Sequence, residues 1–214
     1  MRMDLGLYVV TDESLSRGRS HEEIARAAIA GGADAIQLRD KTCGCLTLLR
    51  TGRALAAYAR ETQTLFIVND RLDVALACGA DGVHLGQRDL PVGVARQLSP
   101  ESFIIGVSVG SVDKAKEAER QGADYVALSP VFTTVSKNDA GPGHGLATLR
   151  AIKRSVSIPV IAIGGITRSN VEAVIASGAD GVAVISAVAS AMDITQATRV
   201  LKTIISDCKR SRKI

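Results

Sequence analysis

The chain has 214 residues, of which 46% are hydrophobic and 22% charged, a composition typical of a soluble globular protein. No apolar run reaches the roughly 18 residues of a membrane-spanning helix, and the start MRMDLGLYVVTD is unlike a signal peptide, so we expect a cytoplasmic protein without a membrane partner. The net charge of +4 is modest, and 3% aromatic residues provide no stacking platform for nucleic acid, so an anionic small molecule is the expected partner.

Hydrophobic periodicity predicts strands and helices that alternate along the whole chain. Eight short runs rich in Val, Ile and Leu are typical of buried parallel strands, at 5–11, 35–38, 65–68, 82–85, 103–107, 125–128, 160–163 and 181–185. Helical spacing of apolar residues follows each strand, at 21–30, 46–61, 72–78, 92–98, 112–121, 146–155, 169–176 and 194–207. Eight βα units without a linker predict a single (β/α)8 TIM barrel with a parallel eight-stranded core, as one domain over residues 1–214.

An internal repeat supports this count of units. It reads GGADAIQL at 31, CGADGVHL at 78, QGADYVAL at 121 and SGADGVAV at 177. In each copy a glycine placed to end a helix precedes Ala-Asp and a strand, which indicates a tight turn at the stability face of the barrel. The repeat aspartates are therefore predicted to be structural: Asp34, Asp81, Asp124 and Asp180. Helix starts are indicated by a capping box from Ser20 to Glu23 and by Thr167.

Two carboxylates are the candidate metal ligands. Asp70 follows the third predicted strand and Asp89 the fourth, and in a parallel barrel such ends face the same mouth. Converging carboxylates suit Mg²⁺. Either acid alone is more often a turn residue or a helix cap, and the other strand ends reverse that preference. The four cysteines lack the spacing of a zinc site and are expected to be reduced thiols: Cys43, Cys45, Cys78 and Cys208.

Cationic side chains follow the second strand. Period-2 alternation places Gln37, Arg39 and Lys41 on one side, and a buried Arg–Lys pair in a barrel is costly unless an anion meets it. The sixth strand leads into SPVFTTVSKNDAGPGHG at 129–145, a long connection in which Thr134, Ser136 and Lys137 offer donors for a phosphate. This segment is predicted to be a lid.

The last two strand ends form a predicted phosphate cup. Gly164 and Gly165 follow the seventh strand, and Ile185 and Ser186 stand at the end of the eighth, where backbone amides of this architecture bind phosphate. The cationic cluster beside the acids matches a diphosphate, and a metal-bound diphosphate is a good leaving group. The sequence has no Ser-His-Asp or Cys-His arrangement and His84 is expected to be a core residue, so the predicted chemistry is displacement of diphosphate with little acid–base catalysis.

The ordered motifs resemble the thiamine phosphate synthase family along nearly the whole chain: YVVTD at 8, QLRDK at 37, ND at 69, ADGVHLGQRD at 80, GVS at 106, TVSK at 134, AIGGI at 162 and GVAVISA at 181. The resemblance implies that 4-amino-2-methyl-5-hydroxymethylpyrimidine diphosphate and 4-methyl-5-(2-phosphoethyl)thiazole condense to thiamine phosphate and diphosphate. It implies a dissociative mechanism in which diphosphate leaves first, and Mg²⁺ as the cofactor.

The resemblance also implies roles for individual positions. Mg²⁺ would be held by Asp70 and Asp89. The pyrimidine diphosphate would be bound by Gln37, Leu38, Arg39, Asp40, Lys41, Asn69, Ser108 and Lys137, of which Arg39, Lys41, Ser108 and Lys137 form the expected catalytic set. The thiazole phosphate would be bound by Thr134, Val135, Ser136, Gly165, Ile185 and Ser186.

The chain departs from the family pattern at four positions. Ser129 stands where Gly is usual, Thr133 where Pro is common, Ser136 where Thr is usual, and Gly110 where a His is common after GVS. The last departure argues against a related thiazole tautomerase, which relies on that His for proton transfer. A sugar-phosphate epimerase and a noncatalytic phosphate-binding barrel are further alternatives, and the oligomeric state and a carboxylated thiazole substrate are left open, a homo-oligomer being one option.

Overall fold

The computed structural model describes residues 5–134, 136 and 141–211, and within them eight parallel strands close into a barrel in chain order. The strands are β1 Leu7–Val10, β2 Ala35–Leu38, β3 Leu65–Asn69, β4 Gly82–Leu85, β5 Ile104–Val109, β6 Tyr125–Leu128, β7 Val160–Ile163 and β8 Gly181–Val184. Strand β8 pairs with β1, with Leu7 beside Val182, which completes the ring. The predicted (β/α)8 barrel is confirmed, while the prediction of one domain over residues 1–214 stays a prediction.

Helices follow every strand and surround the barrel. They are α1 His21–Ala30, α2 Cys45–Glu61, α3 Leu72–Cys78, α4 Val92–Leu98, α5 Val112–Arg120, α6 Gly145–Ser155, α7 Val171–Ala176, α8 Ser186–Ala189 and α9 Ile194–Ser211. The capping box of α1 is confirmed, because the Ser20 hydroxyl accepts from the Glu23 amide and the Glu23 carboxylate accepts from the Ser20 amide. Within the described ranges, no helix combines the length and apolarity that crossing a membrane requires.

Three local features differ from the sequence prediction. The helix α7 begins at Val171 and Thr167 does not start it, because Asn170 accepts from the Thr167 amide and donates to the Gly165 carbonyl, which holds a turn before the helix. The short helix α8 lies between β8 and α9, where the sequence predicts no helix. A 3-10 helix at Glu13–Leu15, capped by the Asp12 side chain, had no counterpart in the prediction.

The barrel separates two apolar cores. Side chains that point outward from the strands pack beneath the helices, and those that point inward fill the barrel, among them Tyr8, Ile67 and Tyr125. Because the strands alternate in this way, each four-residue strand is buried on both faces. Gly106 is required by the inner packing, since a Cβ there would lie 2.0 Å from Cζ of Tyr125.

The repeat aspartates brace the N-terminal ends of the strands, as predicted. Each carboxylate accepts from one backbone amide of the preceding strand, and each aspartate amide donates to the carbonyl of that same residue. The carboxylate distances are 2.7 Å for Asp34 to Leu7 N, 2.8 Å for Asp81 to Phe66 N, 2.7 Å for Asp124 to Ile105 N and 2.7 Å for Asp180 to Val160 N. Three of them also pair with a cation, namely Asp34 with Lys202, Asp124 with Arg96 and Asp180 with Lys153.

Replacing one of these aspartates is expected to destabilise the fold. Asp124→Ala leaves the Ile105 amide without its carboxylate acceptor and breaks the ion pair with Arg96, so the free energy of unfolding should fall by about 1–3 kcal/mol. Asp207→Ala removes only an exposed ion pair with Arg210 and should cost at most about 1 kcal/mol. Urea unfolding of both variants measures the difference, and equal losses would contradict the bracing role.

Candidate functional site

A cavity of about 680 Å³ opens at the C-terminal ends of the strands. Six of the residues predicted from the sequence line it, and they come from the ends of β2, β3, β4 and β5: Arg39, Lys41, Asn69, Asp70, Asp89 and Ser108. The barrel brings them together because parallel strands all end at the same mouth.

Asp70 and Asp89 share this cavity but are positioned by different local structures. Asp70 adopts a left-handed backbone conformation with φ of 62°, and its amide donates to the His84 carbonyl at 2.8 Å. One carboxylate oxygen of Asp70 lies 3.9 Å from the Lys41 ammonium. Asp89 accepts from the Gly86 amide at 2.6 Å, so it also stabilises its own turn. Two carboxylates at neighbouring strand ends form a hard-oxygen donor set of the kind that Mg²⁺ prefers.

Arg39 provides the strongest indication of an anion site. Its Nη1 donates to the Asp12 carboxylate at 2.5 Å, which fixes a guanidinium whose side chain is only 11% exposed. Its Nε is buried and has no hydrogen-bond partner among the described residues. Buried donors are nearly always satisfied, and an anionic ligand beside Lys41 would supply the acceptor.

A smaller pocket adjoins the cavity, and the two share Ser129 and Pro130 as a wall. The described residues predicted to hold the thiazole phosphate all line it: Thr134, Ser136, Gly165, Ile185 and Ser186. The Ser136 hydroxyl donates to the Ser186 hydroxyl at 3.0 Å, so the predicted lid reaches the end of β8.

A glycine turn after β7 lines this smaller pocket. Gly164 and Gly165 have φ of 103° and 64°, conformations that other residues rarely adopt. A Cβ on Gly164 would lie 2.4 Å from the Pro130 Cβ, so the backbone approaches this close only without a side chain. The turn therefore exposes main-chain groups where a phosphate is expected.

Three further predicted residues line neither pocket. Gln37 is buried in the barrel interior, and Leu38 packs in the outer core. Asp40 turns its carboxylate toward Thr42, Cys43 and His21. Val135 and Lys137 lie outside the described residues, and their roles stay predictions.

Gln37 nevertheless connects to Ser108 through the barrel. Its Nε2 donates to the Tyr8 hydroxyl at 2.7 Å, and the Tyr8 and Tyr125 hydroxyls lie 3.2 Å apart. Nδ1 of His84 lies 2.9 Å from the Tyr125 hydroxyl, and Nε2 lies 2.9 Å from the Ser108 hydroxyl. His84 is a buried core residue, as predicted, and it also orients a hydroxyl at the wall of the cavity.

Three titratable residues of the cavity were missed by sequence reasoning: Arg88, Lys114 and His144. His144 ends the long connection after β6, and its ring occupies the space above Gly110, where a Cβ would lie 2.9 Å from Cε1 and Nε2. The length of that connection was the available signal, but it gave no means of choosing His144 within it.

Comparisons with known proteins agree with this arrangement. A model of the family described as thiamine monophosphate synthase matches residues 7–188. The thiamine-phosphate synthase of Methanoregula boonei is 62% identical over 207 residues, which cover 97% of this chain and 96% of the relative. That of Methanoculleus marisnigri is 59% identical and covers 97% and 98%. Among solved structures, thiamine phosphate pyrophosphorylase from Pyrococcus furiosus has a TM-score of 0.90 at 46% identity, covering 96% of this chain and 97% of that one.

The buried tyrosines predict a loss of stability in alkali. Burial raises the pKa of both Tyr8 and Tyr125 above the ordinary value near 10, so they stay neutral in the folded state while the unfolded chain ionises. Each should lower the free energy of unfolding by up to about 1.4 kcal/mol per pH unit above pH 10. Urea unfolding from pH 7 to 11 should give a shallower alkaline slope for Tyr8→Phe than for the wild type, with matching slopes from pH 7 to 9. Identical slopes above pH 10 would contradict this.

Proposed function

The chain belongs to the thiamine monophosphate synthase family, and we propose that it condenses a hydroxymethylpyrimidine diphosphate with a thiazole phosphate to give thiamine phosphate and diphosphate. The single observation that carries this proposal is the pair of adjoining pockets. One is lined by cations and paired carboxylates, and the other by a glycine turn and hydroxyls, so two anionic substrates of different size would meet at Ser129 and Pro130.

Mg²⁺ fits the first pocket because its donor set is two carboxylates of adjacent strands. Asp70 and Asp89 would hold it, with phosphate oxygens and water completing an oxygen shell. When bound, the ion would supply positive charge to the leaving diphosphate. The buried Arg39 Nε and the Lys41 ammonium add charge in the same cavity, which suits a diphosphate.

The proposed mechanism is dissociative displacement. The bond to diphosphate breaks first, and Arg39 and Lys41 stabilise the charge that develops on the departing oxygens. The aminopyrimidine ring stabilises the resulting methylene cation, and the thiazole nitrogen attacks the methylene carbon with its free lone pair. Because this nitrogen has no proton to lose, the residues need only bind, orient and exclude water. Ser108 is held by His84 for this purpose, and Lys137 is the further cation that the resemblance implies.

Release of diphosphate from purified protein tests the function. With both substrates and Mg²⁺, thiamine phosphate and diphosphate should form in equal amounts, and omission of either substrate or addition of EDTA should stop both. A thiazole tautomerase would need neither Mg²⁺ nor the pyrimidine diphosphate. Failure to release diphosphate from a folded sample would therefore favour the tautomerase or a noncatalytic binder.

The carboxylate pair should be essential for turnover. Asp70→Asn and Asp89→Asn preserve side-chain size, and asparagine tolerates the left-handed backbone at position 70, so the fold should be retained. Loss of one ligand should lower kcat/KM by about 100-fold or more and raise the Mg²⁺ concentration that half-saturates the rate.

Asp207→Asn, at the far end of α9, is the matched control and should leave kcat/KM and the Mg²⁺ response unchanged. A wild-type rate and an unchanged Mg²⁺ response in one of these cavity variants would remove that carboxylate from the metal site and contradict the proposed pair. The cytoplasmic location stays a prediction of the sequence, and the oligomeric state stays open.

A further inference from the structure

A second group of metal-type donors lies apart from the residues lining the two pockets. Glu13 of the 3-10 helix, His21 at the start of α1 and Asp40 after β2 point their side chains at one another. Nε2 of His21 is 3.3 Å from one Asp40 carboxylate oxygen and 3.8 Å from one Glu13 carboxylate oxygen. All three donor atoms lie within 4.8 Å of each other.

The Asp40 carboxylate is fixed by bonds that leave one oxygen for His21. Its Oδ1 accepts from the Thr42 amide at 2.7 Å, the Thr42 hydroxyl at 2.8 Å and the Cys43 amide at 2.9 Å. The second oxygen, Oδ2, is therefore held in a fixed position facing Nε2 of His21.

His21 is oriented with equal precision from its other ring nitrogen. Nδ1 lies 2.7 Å from the Thr11 hydroxyl, and that hydroxyl is also placed to donate to the Gln37 carbonyl at 3.2 Å. Since a hydroxyl has one hydrogen, Thr11 accepts from Nδ1 when it donates to Gln37. Nε2 therefore faces two carboxylates, and a positive charge between them, from a metal ion or from a proton, would balance the two negative groups.

We propose that Glu13, His21 and Asp40 bind a divalent transition-metal ion of the zinc class. Metal–ligand bonds of about 2.0–2.2 Å in a tetrahedral site place ligand atoms roughly 3.3–3.6 Å apart. The two distances from Nε2 of His21 to the carboxylates are 3.3 Å and 3.8 Å. A histidine that binds metal through Nε2 usually donates Nδ1–H to an outer acceptor, which is the part that Thr11 plays. The His21 nitrogen also distinguishes this site from the Asp70 and Asp89 pair in the cavity, which offers only oxygen ligands.

The position of the cluster indicates a structural role. Glu13 directly follows Asp12, and Asp40 directly follows Arg39. Asp12 and Arg39 form the ion pair that holds the guanidinium at the cavity. An ion bound by Glu13 and Asp40 would join the β1 and β2 connections just behind that pair. Glu13 is exposed, so a fourth ligand can be water.

A cobalt titration tests the site on the full-length protein. Excess Mg²⁺ occupies the oxygen-only pair, Co²⁺ is then added, and its visible absorption reports binding at a nitrogen-containing site, which Zn²⁺ should displace at one ion per chain. His21→Asn is the decisive variant, because the asparagine amide can replace Nδ1–H toward Thr11 while Nε2 is lost. It should weaken Zn²⁺ binding by about 100-fold, and Thr11→Val by roughly 10–100-fold.

Matched controls separate this site from other donors. Glu22→Gln lies one residue further along α1, and Cys45→Ser removes an exposed thiol that contacts Arg71, so both should bind Zn²⁺ like the wild type. The Asp70→Asn/Asp89→Asn double variant should also bind normally, which makes the result independent of the proposed catalytic function. Thermal unfolding without metal verifies that each variant is folded.

Two outcomes would overturn the proposal. Equal Zn²⁺ affinity in the wild type and His21→Asn would place the metal elsewhere. The lack of any Zn²⁺-displaceable Co²⁺ signal in the wild type would mean that a proton on Nε2, and not a metal ion, supplies the positive charge between the carboxylates.

Discussion

Closure of the parallel barrel is the constraint on which the rest of the molecule depends. The pairing of β8 with β1 removes both sheet edges and forces eight C-terminal strand ends to one mouth. Arg39, Asp70 and Ser108 are far apart in sequence but share one cavity for this reason. The opposite end carries the aspartate braces, where each carboxylate and its own amide bind both polar groups of one residue in the preceding strand. Residues that stabilise the barrel therefore lie at one end of its axis, and residues of the candidate site lie at the other.

The barrel interior is not purely apolar, because a chain of hydrogen-bonded polar groups crosses it. Gln37 donates to the Tyr8 hydroxyl, the Tyr8 and Tyr125 hydroxyls bond each other, and the Tyr125 hydroxyl bonds Nδ1 of His84. Nε2 of His84 in turn bonds the Ser108 hydroxyl at the wall of the cavity. Each of these groups has a hydrogen-bond partner, so the buried polar chain avoids the cost of an unpaired group and links the barrel interior to the site.

Much of this was predictable from the sequence, and the misses have physical causes. The strands could be predicted from short apolar runs because both faces of each strand are buried. Asp70 and Asp89 could be predicted as site residues because they follow two of these runs. The Asp12–Arg39 ion pair, His144 above Gly110 and the Glu13–His21–Asp40 cluster were missed because each joins elements that are distant in the chain. No ligand spacing marks such a cluster. The four-residue helix α8 was missed because small residues carry no apolar period.

The residues at the mouth of the barrel change the interpretation of Gly110, one of the four positions at which the chain departs from the family pattern. From sequence, the glycine stands where the family commonly has a histidine, and this absence argued against a tautomerase. In the structure the space above Gly110 is filled by the ring of His144, so an imidazole remains at the cavity wall, supplied by another connection. Glycine at position 110 leaves room for the His144 ring, so this departure from the family pattern does not remove imidazole from the cavity wall. The choice between synthase and tautomerase therefore rests on Asp70, Asp89 and the buried Arg39 donor, which diphosphate chemistry needs and tautomerisation does not.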